Sequence, residues 1–283
     1  MLELCGEQID AISVGGLETC IQLPKRKLCF DIGRCPPSAV RLPNVLFTHA
    51  HVDHMGGVAH HCAQRDLMGM SPPKYFLPEE SAGAFDALLA AWRTLSQSAL
   101  PCEVIPVKPG DKIALSRNQW FQAFRAVHRI PSIGYVIGST KRKLKKDLQG
   151  ASQQTIRKAV HAGHSVAEEI DSLEIAFCGD TCIDVLKREP EVRKAKVLVL
   201  EMTFLDQRVS VESARAHGHV HLEEVIRHAH LFENQQVLFT HFSSRYRNDE
   251  ILQAMKRLPP SLSVKAQPLL FQPPFAPVRN DNG

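Results

Sequence analysis

FTHAHVDHMGG, residues 47–57, places three histidines and an aspartate within six positions, directly after a run of apolar residues that predicts a buried strand. In an extended segment alternate side chains share a face, so His49 and His51 can bind one ion. Asp53 and His54 lie beside them. The stretch therefore predicts a metal site at the end of a strand.

Three later positions can complete the ligand set. His128, Asp180 and His241 end the apolar segments WFQAFRAVH, LEIAFCGD and QVLFTH. They are far apart in sequence, so the site requires a fold that brings strand ends together. Gly56 and Gly57 lack Cβ atoms, which lets other backbone approach closely behind the ligands. Mixed imidazole and carboxylate ligands suit zinc, although ligand type alone leaves manganese and iron open.

The remaining histidines considered are interpreted as surface or hydrogen-bonded core residues: His60, His61, His161, His164, His228 and His230.

Composition describes a chain that can bury a large core. It has 283 residues, 44% of them hydrophobic, and a formal charge of +4. Length alone suggests two domains, although one large α/β domain is equally compatible. The small positive charge is a hint of a polyanionic partner.

The cysteines and the first residues indicate a reducing compartment. Eight cysteines form no CxxC pair, and MLELCGEQID has neither a basic nor an apolar leader region. No apolar run has the length of about 18 residues that a membrane helix needs. We expect a cytoplasmic protein with reduced thiols and no membrane span.

Periodicity predicts strands first, then an alternation of strands and helices. The predicted strands are Ile9–Val14, Thr19–Leu23, Leu28–Ile32, Val45–Thr48, Glu103–Val107, Lys112–Leu115, Trp120–Val127, Gly134–Ser139, Leu173–Cys178, Val197–Glu201 and Val237–Thr240. The predicted helices are His54–Leu67, Glu79–Leu95, Leu222–Leu231 and Asp249–Leu258. Two sheets faced by helices accommodate this order. From Pro259 onward, prolines predict a loosely packed extended tail without helix.

Several motifs in order resemble the short form of ribonuclease Z, the endonuclease that trims the 3′ end of precursor tRNA. They are AVHRIPSIGYVI, FCGDT, EMTFLD, AHGHVHLEEV and THFSSRY. The resemblance covers about residues 10–260. It implies the metallo-β-lactamase fold, an αββα sandwich of two mixed sheets flanked by helices. We therefore expect one such domain over residues 1–258 and a Pro-rich tail over 259–283.

The resemblance also implies residue roles and two zinc ions per subunit. His49, His51 and His128 would hold one zinc, Asp53, His54 and His241 the other, and Asp180 would bridge them. Asp53 would also act as general base. Glu201 and His219 would assist departure of the 3′ oxygen. Without the resemblance, Glu201 fits a strand-end cap and His219 a solvated loop residue.

The chain departs from many bacterial members of that family at three places. It has His219-Val220-His221 and the run DIGRCP at Asp31–Pro36, which are closer to plant short forms. The family's long Gly- and Pro-rich tRNA arm is replaced by KRKLKKDLQGASQQTIRK. This segment, about residues 140–160, is predicted to project and to bind RNA through Lys141, Arg142, Lys143, Lys145 and Lys146.

The resemblance also implies a homodimer. Two other functions compete with precursor-tRNA cleavage. The first is a different hydrolase of the same fold, such as a small phosphodiesterase, thioesterase or lactonase, because metal ligands do not select a substrate. The second is a non-catalytic nucleic-acid-binding relative that has lost its metals. The complete ligand set argues against the second.

Overall fold

A computed structural model describes residues 1–271, which form two seven-stranded sheets with helices on both outer faces. The first sheet contains β1 (Leu2–Leu4), β2 (Glu7–Val14), β3 (Glu18–Leu23), β4 (Leu28–Phe30), β5 (Asn44–Leu46), β6 (Lys74–Pro78) and β7 (Glu103–Val107). The second contains β8 (Lys112–Ser116), β9 (Gln119–Arg125), β10 (Ile133–Leu144), β11 (Ala167–Phe177), β12 (Val197–Glu201), β13 (Gln236–Thr240) and β14 (Ala266–Pro268).

The helices lie between these strands. They are α1 (Val52–Met55), α2 (Val58–Leu67), α3 (Glu79–Ser96), α4 (Gln153–His161), α5 (Val185–Arg188), α6 (Pro190–Lys194), α7 (Val211–Ala216), α8 (Leu222–Arg227), α9 (Asn248–Met255) and α10 (Pro260–Ser263). Short 3-10 helices span Pro24–Arg26, Ala39–Arg41, Lys146–Leu148 and Ala229–Leu231. Among the described residues, no helix combines the length and the apolar character that crossing a membrane requires.

Each sheet combines an antiparallel meander with a parallel half. In the first sheet, β1 to β4 pair antiparallel and β4 to β7 pair parallel. In the second, β8 to β11 pair antiparallel and β11 to β14 pair parallel. The parallel halves of both sheets alternate with helices, as side-by-side parallel strands require. The prediction of two mixed sheets flanked by helices is confirmed.

Three apolar layers hold the sandwich together. The middle layer lies between the sheets and includes Phe30, Phe121 and Phe177, with the rings of Phe30 and Phe177 stacked 4.7 Å apart. A second layer packs the first sheet against α2 and α3, and a third packs the second sheet against helices that include α8 and α9. Burial of apolar surface in these layers is the main force that stabilises the arrangement.

Backbone contacts join the two sheets at one end. The Tyr135 hydroxyl donates to the Phe47 carbonyl at 2.6 Å, and the Ile133 amide donates to the Thr48 carbonyl at 3.0 Å. The Gly15 amide also donates to the Phe242 carbonyl at 2.9 Å. Loops that follow strands of both sheets are therefore held together at this edge.

The predicted helix from His54 to Leu67 is wrong at its start. The structure has α1 and α2 instead, separated by Gly56 and Gly57. The Gly57 amide donates to the Ile32 carbonyl at 3.2 Å, and a Cβ on Gly57 would lie 2.3 Å from that oxygen. Close backbone approach behind the metal motif is thus observed, and it interrupts the helix.

The prediction of a loose, helix-free tail from Pro259 is also wrong for the described residues. Pro260 begins α10, where proline is tolerated because its fixed φ suits the first position of a helix. β14 then pairs parallel with β13 at the edge of the sheet. Leu262 and Leu269 are buried. The remaining prolines of the predicted tail, Pro273, Pro274 and Pro277, lie outside the described residues.

The basic segment occupies the end of a long hairpin. β10 pairs with β9 only as far as Ser139, whereas its pairing with β11 continues from Thr140 to Leu144. The 3-10 helix Lys146–Leu148 and α4 then connect the two strands. We call residues 140–171 the hairpin arm.

Candidate metal centre

The first donor group gathers three imidazoles and one carboxylate. His49 Nε2 lies 3.0 Å from His51 Nδ1, and His128 Nε2 lies 3.4 Å from the same His51 atom. Asp180 Oδ2 lies 3.7 Å from His49 Nε2. Each of these residues follows a strand: β5 for His49 and His51, β9 for His128 and β11 for Asp180.

The second donor group shares Asp180 with the first. His54 Nε2 and His241 Nε2 are 3.3 Å apart, and Asp180 Oδ1 lies 3.4 Å from each of them. Asp53 Oδ2 lies 3.7 Å from His54 Nε2 and 3.6 Å from His241 Nε2. The two oxygens of Asp180 therefore face different groups, which is the geometry of a bridging carboxylate.

The donor set fits a pair of divalent cations. Tetrahedral ligands at roughly 2.0–2.2 Å from zinc are separated from one another by roughly 3.3–3.6 Å, close to the observed spacings. Asp180 is 3% exposed, and within residues 1–271 its Oδ1 accepts no hydrogen bond. A buried carboxylate oxygen that faces imidazole nitrogens without a hydrogen bond requires a positive partner.

In four of the five imidazoles, the ring nitrogen that faces away from the donor group has an oxygen partner. His49 Nδ1 contacts Thr48 Oγ1 at 3.0 Å, His54 Nδ1 contacts Asp31 Oδ2 at 2.8 Å, His128 Nδ1 contacts the Gly218 carbonyl at 2.9 Å, and His241 Nδ1 contacts Thr203 Oγ1 at 3.1 Å. Such partners fix ring orientation and aim the opposite nitrogen at a metal. Four of the five ligand imidazoles are oriented in this way.

Asp31 is a supporting residue that the sequence reasoning missed. It is fully buried, and it accepts hydrogen bonds from the Thr48 amide at 2.8 Å and the Thr48 hydroxyl at 2.9 Å as well as from His54. Burial raises the pKa of this carboxyl, and the adjacent His54 opposes that rise. Asp31 directly follows β4, which pairs with the strand that leads to the metal motif. This position could have suggested its role from the sequence.

Glu201 and His219 form a pair beside the donor groups. Glu201 ends β12, is buried, and accepts a hydrogen bond from His219 Nδ1 at 2.9 Å. The amides of Thr181 and Val220 also donate to the Glu201 carboxylate, at 2.8 and 3.2 Å. Burial lowers the pKa of His219, but the Glu201 charge outweighs it and raises the pKa to about 9.

His219 also lies within reach of Asp180 and His241, so it could belong to a third donor group. Its Nδ1 is 4.0 Å from Asp180 Oδ2, longer than the 2.9 Å to Glu201. The ring stacks against His241 with centroids 5.6 Å apart. Because Glu201 already engages Nδ1, we assign His219 to a place beside the metal pair.

The structure thus brings together all seven predicted ligands and places Glu201 and His219 next to them. The five predicted RNA-binding cations lie on the hairpin arm, apart from this cluster. Of the histidines assigned to surface or core, His61 is buried and contacts Tyr75 Oη at 2.9 Å and the Leu42 carbonyl at 3.2 Å. That interpretation of His61 as a hydrogen-bonded core residue agrees with the structure.

Comparisons with known proteins match most of the chain. The model of the beta-lactamase superfamily domain matches residues 33–242. tRNase Z TRZ1 of Arabidopsis thaliana is 40% identical over 92% of this chain and 94% of its own length. The chloroplastic tRNase Z TRZ2 of the same plant is also 40% identical, over 95% of this chain and 76% of its own.

Solved structures share the fold. The short form of human tRNase Z superposes with a TM-score of 0.60 at 18% identity, covering 93% of this chain and 96% of its own. YhfI, a metallo-beta-lactamase fold protein of Bacillus subtilis, superposes with a TM-score of 0.61 at 15% identity. The match covers 93% of this chain and 96% of YhfI. The fold, the shared motifs and the 40% identity lead to one conclusion: this chain belongs to the tRNase Z (ribonuclease Z) family of the beta-lactamase superfamily.

Proposed function

We propose that this protein is a zinc-dependent endoribonuclease that cleaves the 3′ trailer from precursor tRNA. The observation that carries the proposal is the joint presence of two donor groups bridged by Asp180 and of the Glu201–His219 pair beside them. The relatives named tRNase Z, 40% identical over nearly the whole chain, support the choice of substrate.

Two zinc ions in this site would polarise the phosphodiester and lower the pKa of a water for in-line attack. The chain's own residues position the other participants. Asp53 is more exposed than Asp180, with 15% of its side chain accessible against 3%. Its Oδ2 accepts a hydrogen bond from the Gly16 amide at 3.0 Å, which fixes the carboxylate. We assign Asp53 the role of orienting the attacking water and accepting its proton.

His219 supplies the proton that the leaving 3′ oxygen needs. The buried Glu201 carboxylate favours the protonated imidazole and holds the ring through Nδ1, which leaves Nε2 to donate. Glu201 is held in turn by two backbone amides. It is therefore a positioning residue that acts through His219.

We propose that the hairpin arm binds tRNA phosphates. Arg142 and Lys143 lie directly opposite Glu169 and Glu168 across the hairpin, so acidic neighbours offset part of their charge. Within the described part of the chain, no ion pair involves any of the predicted cations Lys141, Arg142, Lys143, Lys145 and Lys146. The connection between the strands adds two further cations, Arg157 and Lys158, on α4. The tip of the arm is therefore its most basic part.

We also propose a homodimer, and an apolar surface supports it. Large apolar side chains are exposed on or beside α2 and α3: Leu67, Met68, Leu88, Trp92 and Leu95. Leu88, Trp92 and Leu95 lie at helical spacing on one face of α3, and exposed apolar residues that lie together commonly mark protein interfaces. Replacing Leu67 and Leu95 with Glu should yield a monomer in sedimentation experiments, whereas an unchanged mass of twice the chain would place the interface elsewhere.

The cytoplasmic location stays a prediction. The curated relatives include proteins named as chloroplastic and as nuclear, so the family occurs in more than one compartment.

One experiment tests the function directly. The zinc-loaded protein is incubated with a 3′-extended precursor tRNA, and both new ends are mapped. We expect a single cut that separates the trailer from the tRNA body. Cleavage of bis-p-nitrophenyl phosphate without cleavage of precursor tRNA would favour a different hydrolase of this fold.

A further inference from the structure

Two thiols outside the metal centre lie against each other. Cys62 is on α2, and Cys102 is in the segment between α3 and β7, 40 positions later. The Cys62 Sγ donates a hydrogen bond to the carbonyl of Pro101, the residue that precedes Cys102, at 3.2 Å. The two sulfurs are close enough for each to shift the pKa of the other.

An arginine holds the second sulfur. Arg93 on α3 donates through Nη2 to the Cys102 Sγ at 3.7 Å and to the Leu100 carbonyl at 3.1 Å. Its Nε donates to the Ala99 carbonyl at 2.9 Å. The guanidinium thus fixes the segment that carries Cys102 and places a permanent positive charge beside its sulfur.

The two sulfurs differ in access and in charge. Cys62 is fully buried, whereas Cys102 is half-buried. The neighbouring Cys62 thiol lowers the pKa of Cys102, burial opposes this, and Arg93 lowers the pKa further. Asp86 faces Cys102 and Asp66 faces Cys62, and both carboxylates work against a thiolate. An accessible thiolate stabilised by a cation is the arrangement that makes cysteines reactive.

Three other cysteines lack this combination. Burial raises the pKa of Cys35 to about 12 and that of Cys182 to about 11. Cys5 is exposed, and burial of its sulfur against the rest of the chain still raises its pKa. Cys102 differs from all three because it combines a lowered pKa with a buried thiol next to it.

We propose that Cys102 and Cys62 form a peroxide-sensitive dithiol site, in which Cys102 reacts first and Cys62 resolves the product into a disulfide. The Cys102 thiolate attacks one oxygen of hydrogen peroxide, the O–O bond breaks, and hydroxide leaves and takes up a proton as water. The Cys62 sulfur then attacks the Cys102 sulfenic acid. The S–O bond breaks, a second water departs with the Cys62 proton, and the S–S bond forms. Two thiols are oxidised by two electrons, and one peroxide is reduced to two waters.

The test uses the purified full-length protein treated with hydrogen peroxide and then alkylated without reductant. We expect a loss of two hydrogen masses, a peptide pair linked through Cys62 and Cys102, and reversal by dithiothreitol. Absence of that linked pair, or a link between other cysteines under the same conditions, would overturn the proposal.

Variants separate the two roles. Cys62→Ser should leave a Cys102 sulfenic acid that dimedone traps. Cys102→Ser should show neither a dimedone adduct at Cys62 nor a disulfide that involves Cys62. Cys5→Ser removes an exposed thiol and should form the link as the unmodified protein does. Circular dichroism checks that each variant is folded. If a variant unfolds, the peptide map of the unmodified protein still decides the outcome. Equal trapping of dimedone at Cys62 and Cys102 would contradict the assigned order.

Discussion

Asp180 contacts both donor groups through different oxygens, and no other residue of the site does so. Asp180→Ala should therefore lose both zinc and activity, because no other carboxylate is placed to offset the charge of two cations. Metal analysis of the folded variant checks this. Asp66→Ala, which removes an exposed carboxylate of α2, is the control and should keep its zinc. Two equivalents of zinc retained by Asp180→Ala would exclude the bridging role.

His219 is placed to donate a proton without holding metal. His219→Ala should keep its zinc and cleave precursor tRNA about a hundredfold more slowly, the scale expected when a positioned acid is removed. A substrate with a better leaving group needs less help, so its cleavage should slow much less. Loss of zinc would instead assign His219 to the third donor group, and equal slowing of both substrates would show a structural role.

At the level of single residues, the sequence predicted which side chains the fold brings together, but it did not indicate the residues that orient them. The density of FTHAHVDHMGG and the family motifs pointed to all seven ligands. Asp31, Thr48 and Thr203 were missed because their role is visible only when the rings they orient are placed in space. Threonine is common throughout proteins, so its presence in the sequence does not indicate that it orients a histidine ring.

At the scale of elements, Gly57 separates α1 from α2 because backbone of the β4 loop passes close behind it. Gly57→Ala should destabilise the fold by about 1–3 kcal/mol, since a Cβ would lie 2.3 Å from the Ile32 carbonyl oxygen. Gly83→Ala is the matched control. Gly83 lies within α3 with nothing within 4 Å of an added Cβ, so this change should stabilise by about 0.5–1 kcal/mol.

Chemical denaturation of both variants measures the difference. If both substitutions change the free energy of unfolding by the same amount and in the same direction, the close approach of Gly57 to the Ile32 carbonyl does not constrain the chain.

The hairpin arm offers a second element to test. We expect a steep rise in KM for precursor tRNA when Lys141, Arg142, Lys143, Lys145 and Lys146 are replaced with Ala. The slope of log binding constant against log salt concentration should become shallower by about one for each phosphate that the arm no longer binds. Hydrolysis of bis-p-nitrophenyl phosphate and zinc content should stay unchanged. A matched variant removes five other exposed cations, Lys25, Lys27, Lys187, Arg188 and Lys194. If both variants bind tRNA equally well, the arm has no special part in docking.

Elements whose apolar residues recur with a clear period were predictable from the sequence. Elements that depend on tertiary contacts were not. The predicted Val197–Glu201 coincides with β12, and Val237–Thr240 nearly matches β13. β1, β6 and β14 were missed. β14 has three residues and ends in proline, so only its pairing with β13 makes it a strand. Short strands of this kind are defined by their neighbours.

For the whole molecule, the proposed metal centre would link two sheets that also meet through the apolar middle layer and through hydrogen bonds at the same end. The proposed ligands come from loops of the first sheet at His49 to His54 and of the second at His128, Asp180 and His241. Removing zinc with a chelator should therefore lower the melting temperature, because metal that binds only the folded chain stabilises it. Added zinc should restore the original value. A melting temperature that is insensitive to zinc would show that the sheets hold the site without help.

The order of the ligands along the chain has a consequence for synthesis. His49 emerges from the ribosome well before His241 and before β14, the strand that flanks β13. Because chains are made from the amino terminus, a nascent protein that stops before β14 lacks the edge that holds its last ligand strand. Such a copy lacks the strand beside β13, so we expect nuclease activity to begin only after β14 has been made.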